Sequence, residues 1–526
     1  MGILLNPGNT DFQIALNSEI YIDKSELIKH TNKVINTEQR FVCVSRPRRF
    51  GKSMAANMLV AYYSRGCDSK EMFSSYKIVE SDSFEKHLNR YNVIHINMVK
   101  FLCESKNVEE MIRFVEEDII DEITEEFPDI KMPRRVTLIN VLDKAFAQFK
   151  IPFIIIIDEW DCIFRKHKED KDSQTVYLDF LRNLLKNQSY VALAYMTGIL
   201  PIKKYGEHSA INMFTEISMT DPREYSELTG FTEKEVRELC ERYSMPYDDT
   251  KRWYDGYDLR GVSIYNPRSV VMSMTGGYFN NYWTSTETYE ALKVHIQRNF
   301  DGLKDKVTTM IAGERVSVNT AKFQNDMTSL NSADDVLTLL VHLGYLTFKA
   351  INETGFGEVW IPNSEIRQEF INSIEDGGWE NLMKAIRSSD RLLEATLNGE
   401  ADKVAELIEQ CHSENTSVLQ YNDENSLACT ITIAYYSARN KYIMHRELAT
   451  GKGFADITFI PMRNVDAPAI IVELKHNKTS GAAIEQIKQK KYTEKIAQYT
   501  GEILLVGINY DDNKGHTCEI ERFVKE

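Results

Sequence analysis

Through the first 215 residues the hydrophobic positions follow two alternating patterns. Short unbroken apolar runs, "RFVCVS", "YNVIHINMVK", "IPFIIIIDEW" and "SYVALAYMTG", each predict a strand buried on both faces. Between them the apolar residues recur at helical spacing. "MAANMLVAYY" follows Lys52, and "VYLDFLRNLL" carries Val176, Phe180, Leu181 and Leu184 on one side. Strand and helix patterns that alternate in this way predict an α/β fold whose parallel sheet is covered by helices.

From about residue 220 to 320 the pattern is mainly helical, interrupted by the aromatic-rich stretch "RWYDGYDL…VSIYNP". We expect those aromatics to pack a helical lid over the sheet rather than to stack on a ligand. "SADDVLTLLVHLGYLTFKA" followed by "GEVWIPNSEIRQEF" predicts a helix, a two-stranded wing and a second helix, which together make a winged-helix-like module. The helical stretch "LLEATLNGEADKVAELIEQC" leads to a last region that reads helix, three strands ("KYIMHREL", "GFADITFI", "PAIIVELK"), helix and strand. A chain of 526 residues is too long for one core. The expected divisions are 1–290 for the sheet and its lid, 291–415 for the helical, winged-helix-like middle, and 416–526 for the αβββαβ tail.

Composition changes this picture little, but charge does. No apolar run approaches the roughly 20 residues that span a bilayer. The start "MGILLNPGNT" lacks the basic-then-apolar shape of a secretory leader. The eight cysteines form no C-x-x-C pair and read as reduced, which makes a cytoplasmic protein the expectation. Net charge is −15, against bulk attraction to nucleic acid. From Lys441 onward, however, 13 Lys/Arg face 12 Asp/Glu, so the tail is close to neutral and the acidic excess lies in front of it. A phosphodiester substrate therefore stays open for the tail.

The first candidate chemistry is in "RFVCVSRPRRFGKS". A strand, a loop (Arg46, Pro47, Arg48, Arg49, Phe50) and a helix opening at Gly51-Lys52-Ser53 are the parts of a phosphate cradle, in which backbone N–H groups and the helix N-terminus meet the anion. Lys52 would reach the β- and γ-phosphates of a nucleotide and Ser53 would ligate Mg²⁺. "IIIIDEWD" ends a neighbouring buried strand in Asp158, placed to hold that Mg²⁺, and Glu159, placed to polarise the attacking water. The competing reading is that Asp158, Glu159 and Asp161 merely cap the next helix. Thr197, at the end of "AYMTG", stands where a polar group could sense the γ-phosphate. Pro47 fixes φ and removes one donor from the loop. One of Arg46, Arg48 and Arg49 could act as an internal arginine finger, although adenine-side contacts or salt bridges to the acidic front region are the favoured role.

The second is Asp456, Glu473 and Lys475. Residues two apart on a strand share a face, so Glu473 and Lys475 point together, and an ordinary hairpin sets Asp456 beside them. Two carboxylates suit Mg²⁺ or Mn²⁺, which would activate a water, while Lys475 orients it or stabilises the phosphorane. Glu447, Glu424 and Gln486 are further candidates around this group. Lys488, Lys490 and Lys491 with Tyr492 could follow a nucleic-acid backbone or be a solvated helical face.

The ordered run "SEIYIDKSELI", "SRPRRFGKS", "IDEWD", "MTGILPI", "HSAINMFTEIS", "LTGFTEKEV", "RWYDGYDL", "IYNPRS" and "YWTST" resembles the predicted AAA-ATPase-like family that carries a carboxy-terminal PD-(D/E)XK nuclease-like domain. The resemblance spans nearly the whole chain. In that family the loop characteristically reads as it does here, with Arg46 where glycine is usual in other phosphate loops. It implies a P-loop NTPase fold with ATP at Gly51, Lys52, Ser53 and Asp158. It further implies Glu159 as water activator and a restriction-endonuclease-like tail acting through Asp456, Glu473, Lys475 and Gln486. Two departures are small: Trp160 stands where Tyr is common, and Ala455 where the name-giving proline would be. The expected function is an ATP-binding and hydrolysing protein whose tail is a metal-dependent nuclease gated by nucleotide state, acting on DNA or RNA, with homo-oligomerisation open. The alternative is a non-cleaving nucleotide-operated switch or scaffold that binds nucleic acid or a protein partner.

Overall fold

The computed structural model describes residues 2–202, 211–283, 292–294, 296, 300–323, 330–352, 354–377, 379–415, 424–450, 453–463, 465–490, 492 and 501–524. Side chains are described throughout these except at 301, 414–415, 424–426, 447–450 and 453–455. The chain forms two compact units, one of residues 1–287 with 317–368, the other of residues 288–316 with 369–526.

In the first unit, five strands form one sheet: β1 (Phe41–Ser45), β2 (Asn92–Asn97), β3 (Phe153–Asp158), β4 (Val191–Gly198) and β5 (Thr215–Ile217). Their order is β2-β3-β4-β1-β5, and every pairing is parallel. β1, β3 and β4 are buried at every position, which is why they read as continuous apolar runs. The expected parallel sheet is therefore present, with two differences. β5 was not anticipated, because three residues give no periodicity to read. β3 does not neighbour β1 either: β4 lies between them, so Thr197 stands between the phosphate-loop strand and the acidic one.

A small antiparallel sheet follows, of β6 (Phe231–Thr232), β7 (Tyr257–Leu259) and β8 (Val262–Tyr265). The aromatics of "RWYDGYDL" are mostly internal. Tyr254 and Tyr265 share a core with Val236 and Leu239, and Phe50 of the loop meets Tyr257 edge-on at 5.2 Å. The winged-helix-like module is built from β9 (Val316–Asn319), the helix Ala333–Leu343, β10 (Thr347–Ala350), β11 (Phe356–Trp360) and the helix Ser364–Asp376. β9 adds a third strand to the expected wing, in the order β10-β11-β9. This module lies against the phosphate loop: a Cβ on Gly344 (φ +88°) would come within 2.7 Å of Pro47 Cβ, and Tyr257 Oη donates to the Gly344 carbonyl at 2.8 Å.

In the second unit the long helical stretch breaks at Gly399 (φ +79°) into Glu380–Asn398 and Ala401–Asn415. A mixed sheet follows, in sequential order β12 (Tyr442–Thr450), β13 (Gly453–Pro461), β14 (Ala469–His476), β15 (Glu502–Asp511) and β16 (Gly515–Val524). Only β14 and β15 are parallel, and the helix Ser480–Gln489 lies in their connection. The expected αβββαβ order is present with β16 added. That strand reads as half-exposed polar sequence, so no apolar run announced it. Among the described residues no helix is long and apolar enough to cross a membrane.

Gly344→Ala combines a left-handed φ with crowding against Pro47. We expect it to cost about 2–4 kcal/mol, seen as a lowered midpoint of the first unit's thermal transition, whereas Gly399→Ala, with nothing within 4 Å of its Cβ, should cost about 1.

Candidate active sites

β1 ends in the loop Arg46–Phe50, and Gly51, in the left-handed region at φ +82°, turns the chain into the helix Lys52–Tyr63. A Cβ at Gly51 would meet nothing within 4 Å, so the loop leaves open space there. A cavity of about 880 Å³ opens at this point. Its wall includes Arg48, Arg49, Phe50, Gly51, Lys52 and Ser53, together with Glu159 and Arg165. Lys52 keeps only 5% of its surface exposed, and its ammonium donates to the Pro47 carbonyl at 2.9 Å. Burial lowers its pKa, and the nearby Glu159, Asp161 and Asp158 oppose that shift.

Asp158 is buried at the end of β3 and accepts from Thr197 Oγ1 at 2.6 Å. Thr197 is thus turned toward the candidate metal ligand and does not line the cavity. Glu159 sits in the left-handed region at φ +55°, an uncommon conformation for a non-glycine residue. Its carboxylate is held by the Arg165 guanidinium, and burial pushes its pKa up. Asp161, fully buried, accepts from the backbone N–H groups of Ile199 and Leu200 at 3.1 and 2.9 Å. Although it stands at the N-cap of the helix Cys162–Lys166, its side chain makes no capping bond and organises the end of β4 instead.

The loop arginines separate. Arg48 and Arg49 line the cavity, whereas Arg46 is fully buried and turned away from it. Arg46 Nε donates to Thr229 Oγ1 at 3.0 Å, and Nη1 donates to the carbonyls of Ser45 and Ile217. Pro47 is likewise covered. Arg165 and Arg268, the latter in the first turn of the helix Pro267–Gly276, line the cavity and were missed in the sequence. Arg165 stands four residues after Asp161, a spacing that could have indicated it. The cavity, the open glycine turn and the inward lysine fit a nucleotide polyphosphate. Lys52 and the loop amides would hold the phosphates and Ser53 the accompanying Mg²⁺; Asp158, like Thr197, lies behind the cavity wall, so it would reach that ion only from beneath the lining residues.

In the second unit, β13 and β14 pair Ile457 with Val472 and Thr458 with Ile471. One further step in that register sets Asp456 opposite Glu473. The Asp456 carboxylate accepts from the Leu474 backbone N–H at 2.7 Å, and Lys475 Nζ donates to Glu473 Oε1 at 2.9 Å. Gln486, on the helix Ser480–Gln489, also donates to Glu473 Oε1. These four residues are therefore together. Glu473 is fully buried, and its Oε2 has no hydrogen-bond partner among the described residues. Burial, then the neighbouring Asp456 charge, pushes its carboxyl up to about 7. A buried carboxylate with one unpartnered oxygen beside a second carboxylate is what a divalent cation would relieve, so Asp456 and Glu473 fit Mg²⁺ or Mn²⁺. Lys491 lies outside the described residues, as do the side chains of Glu424 and Glu447. Lys488 is paired with Glu521 at 2.6 Å.

A phosphate loop on a parallel sheet, joined to a mixed sheet with a carboxylate–lysine centre, defines the class as P-loop NTPase with a nuclease-like tail. Residues 8–206 match the family described as predicted AAA-ATPase, and residues 422–520 match the PD-(D/E)XK nuclease superfamily. Both matches fall where the motifs led us to expect them, the first at the front of the chain and the second in the tail. A protein described as an uncharacterized protein in the vnfD 5′ region of Azotobacter chroococcum mcd 1 is 22% identical over 487 residues, covering 89% of each chain. Among solved structures, the Aeropyrum pernix ORC2 protein, in ADPNP–ADP complexes, aligns at a TM-score of 0.30 and 10% identity over 68% of this chain and 97% of its own. The replication initiator DnaA, bound to AMPPCP and single-stranded DNA, aligns at 0.25 and 10% over 57% and 72%. Both scores are too low to carry an argument about function.

Because a cation held there would need Glu473 ionised, Mn²⁺ affinity at the tail should fall about tenfold per pH unit below pH 7 and level off above it. Titration calorimetry from pH 5.5 to 8.5 would read this, and Glu473→Gln should flatten the profile.

Proposed function

We propose that this protein binds and hydrolyses ATP at its front cavity and cleaves phosphodiester bonds at its tail, with nucleotide state governing cleavage. The observation that carries the reading is the Glu473 carboxylate: buried, lacking a partner on one oxygen, and set between Asp456, Lys475 and Gln486. A structural ion pair would not leave that oxygen unsatisfied, because a buried unpaired acceptor costs about 1–3 kcal/mol.

At the front, Lys52 would exchange the Pro47 carbonyl for phosphate oxygens, and Arg48 and Arg49 would add positive charge along the cavity wall. Arg165 holds Glu159, so activation of a water there requires that ion pair to loosen. Bound Mg²⁺ would neutralise developing phosphate charge. At the tail, Asp456 and Glu473 would hold the cation, which lowers the pKa of a coordinated water when bound. Lys475, only 6% exposed, is positioned to stabilise the charge that builds on the scissile phosphate, and Gln486 orients Glu473. Gating is supported by the path of the chain, which passes between the two units after residues 287, 316 and 368. The nucleic acid is the expected macromolecular partner, and its type, DNA or RNA, is part of the proposal's test.

A second reading, a switch that binds without cutting, is favoured by one observation, the engagement of Glu159 by Arg165. The two readings separate in one experiment. Labelled DNA and RNA of both strandednesses are incubated with Mg²⁺ or Mn²⁺, with and without ATP, using wild type, Lys52→Ala and Glu473→Ala. The nuclease reading expects cleavage that falls at least about a thousandfold in Glu473→Ala and responds to ATP only when Lys52 is present. ATP turnover that depends on Lys52, without cleavage of any substrate, would establish the switch instead.

A further inference from the structure

Behind the carboxylate–lysine centre, on the other face of the same sheet, lies a second group of ligand-type side chains. Strand alternation puts Glu473 and Lys475 on one face of β14 and His476 on the other. Register then carries that second face across the sheet, from His476 to Tyr510 on β15 and to His516 on β16. The helix Ala401–Asn415 packs on β16 and brings Glu409 and His412, three residues apart and so on one helical face, over His516.

The geometry points to a binding site for a divalent transition-metal ion, of the zinc type, formed by Glu409, His412 and His516. One ligand atom from each of the three lies within 4.8 Å of the other two. His516 Nδ1 is 2.6 Å from Glu409 Oε2, and the same oxygen accepts from the His516 backbone N–H at 3.1 Å. The His412 and His516 rings stand nearly perpendicular, 5.4 Å apart, and both pack on Tyr510. The turn before β16 admits this arrangement through Gly515. Its φ is +76°, and a Cβ there would fall 2.8 Å from Glu409 Oε2, so any side chain would push the carboxylate off the turn.

Two imidazoles and one carboxylate suit Zn²⁺ or Co²⁺ and discriminate against Mg²⁺ and Ca²⁺, which prefer oxygen ligands alone. Both imidazoles are buried, and each would ligate through a neutral ring nitrogen. Three protein ligands leave a fourth position for water. A bound ion would replace the Glu409–His516 hydrogen bond by coordination of both groups. It would thereby pin the helix Ala401–Asn415 to the β15–β16 hairpin, on the reverse of the sheet that carries Asp456 and Glu473.

The test uses the full chain, stripped with chelator and titrated with Zn²⁺ against a competing chelating dye, and with Co²⁺ followed by its visible absorption. Wild type is compared with His412→Gln, with His516→Gln, and with the double variant Asp456→Asn, Glu473→Gln. We expect one equivalent of Zn²⁺ that is retained in the double variant and weakened at least about a hundredfold in either histidine variant. The wild-type Co²⁺ spectrum should show the intense d–d bands of a four- or five-coordinate site. The glutamine variants keep a polar side chain of similar reach, and circular dichroism checks that they fold. Should a histidine variant fail to fold, the wild-type Co²⁺ spectrum and Zn²⁺ retention by the double variant decide the matter. Absence of a tight equivalent in wild type, its loss in the double variant, or its persistence in folded histidine variants would overturn the site.

Discussion

A lysine ammonium is held almost out of water at the mouth of the first unit, and the surrounding architecture answers to that constraint. Lys52 touches the Pro47 carbonyl and lies in the field of Asp158, Glu159 and Asp161. A buried cation left without such company would cost several kcal/mol, so the loop, the end of β3 and the end of β4 are fixed relative to one another by charge as much as by packing. Each carboxylate is in turn engaged. Asp158 takes the Thr197 hydroxyl, Asp161 takes two backbone amides, and Glu159 takes Arg165. The network therefore joins three parallel strand ends through side chains, in addition to the backbone bonds from Arg46 N–H to the Gly198 carbonyl and from Trp160 N–H to the Thr197 carbonyl.

Arg46 extends the same constraint in the opposite direction. Its guanidinium has no exposed surface, and the acceptors named above, Thr229 Oγ1 and the carbonyls of Ser45 and Ile217, are all neutral. Burial lowers its pKa to about 10, which still leaves it charged at neutral pH. A cation solvated only by dipoles demands that those dipoles stay in place. Arginine at the position where phosphate loops usually carry glycine thus acts as an anchor under the loop rather than as a phosphate ligand. Burial first, and then this charge, pushes the pKa of His342 down to about 3, and Gly344 lies two residues further on against Pro47. Loop and winged-helix-like module are consequently one packing problem.

What could be read in the sequence follows from the range of each interaction. β3 and β4 are fully buried and therefore unbroken in hydrophobicity; β5 is too short and β16 too polar to leave a pattern. The Asp456–Glu473–Lys475 group was legible because a hairpin and a period of two are local rules. The position of Thr197 at a strand end was legible, but its partner was not, since strand order depends on non-local pairing that no short motif encodes. Arg46 misled because composition says that a charge belongs at the surface, and only the assembled fold supplies the acceptors that let it be buried. Glu409 and His412 precede His516 by about a hundred residues, and nothing in the intervening chain marks them as neighbours.

The tail sheet separates its polar chemistry by face. Oxygen donors, with the ammonium of Lys475, occupy one side of β14, and imidazoles gather on the other side at the same end of the strands. Strand alternation makes this separation possible, because adjacent residues such as Lys475 and His476 are neighbours in the chain yet face opposite ways. Chemically the consequence is selectivity. A hard cation finds only oxygen on the first face, a borderline one finds nitrogen on the second, and neither set of ligands can reach through the sheet to dilute the other. Mechanically, anything that stiffens the second face also steadies the register that sets Asp456 opposite Glu473, because both depend on the same backbone ladder. Precision at the carboxylate centre is therefore a property of the whole five-stranded sheet and the helices on both of its faces, not of the four side chains alone.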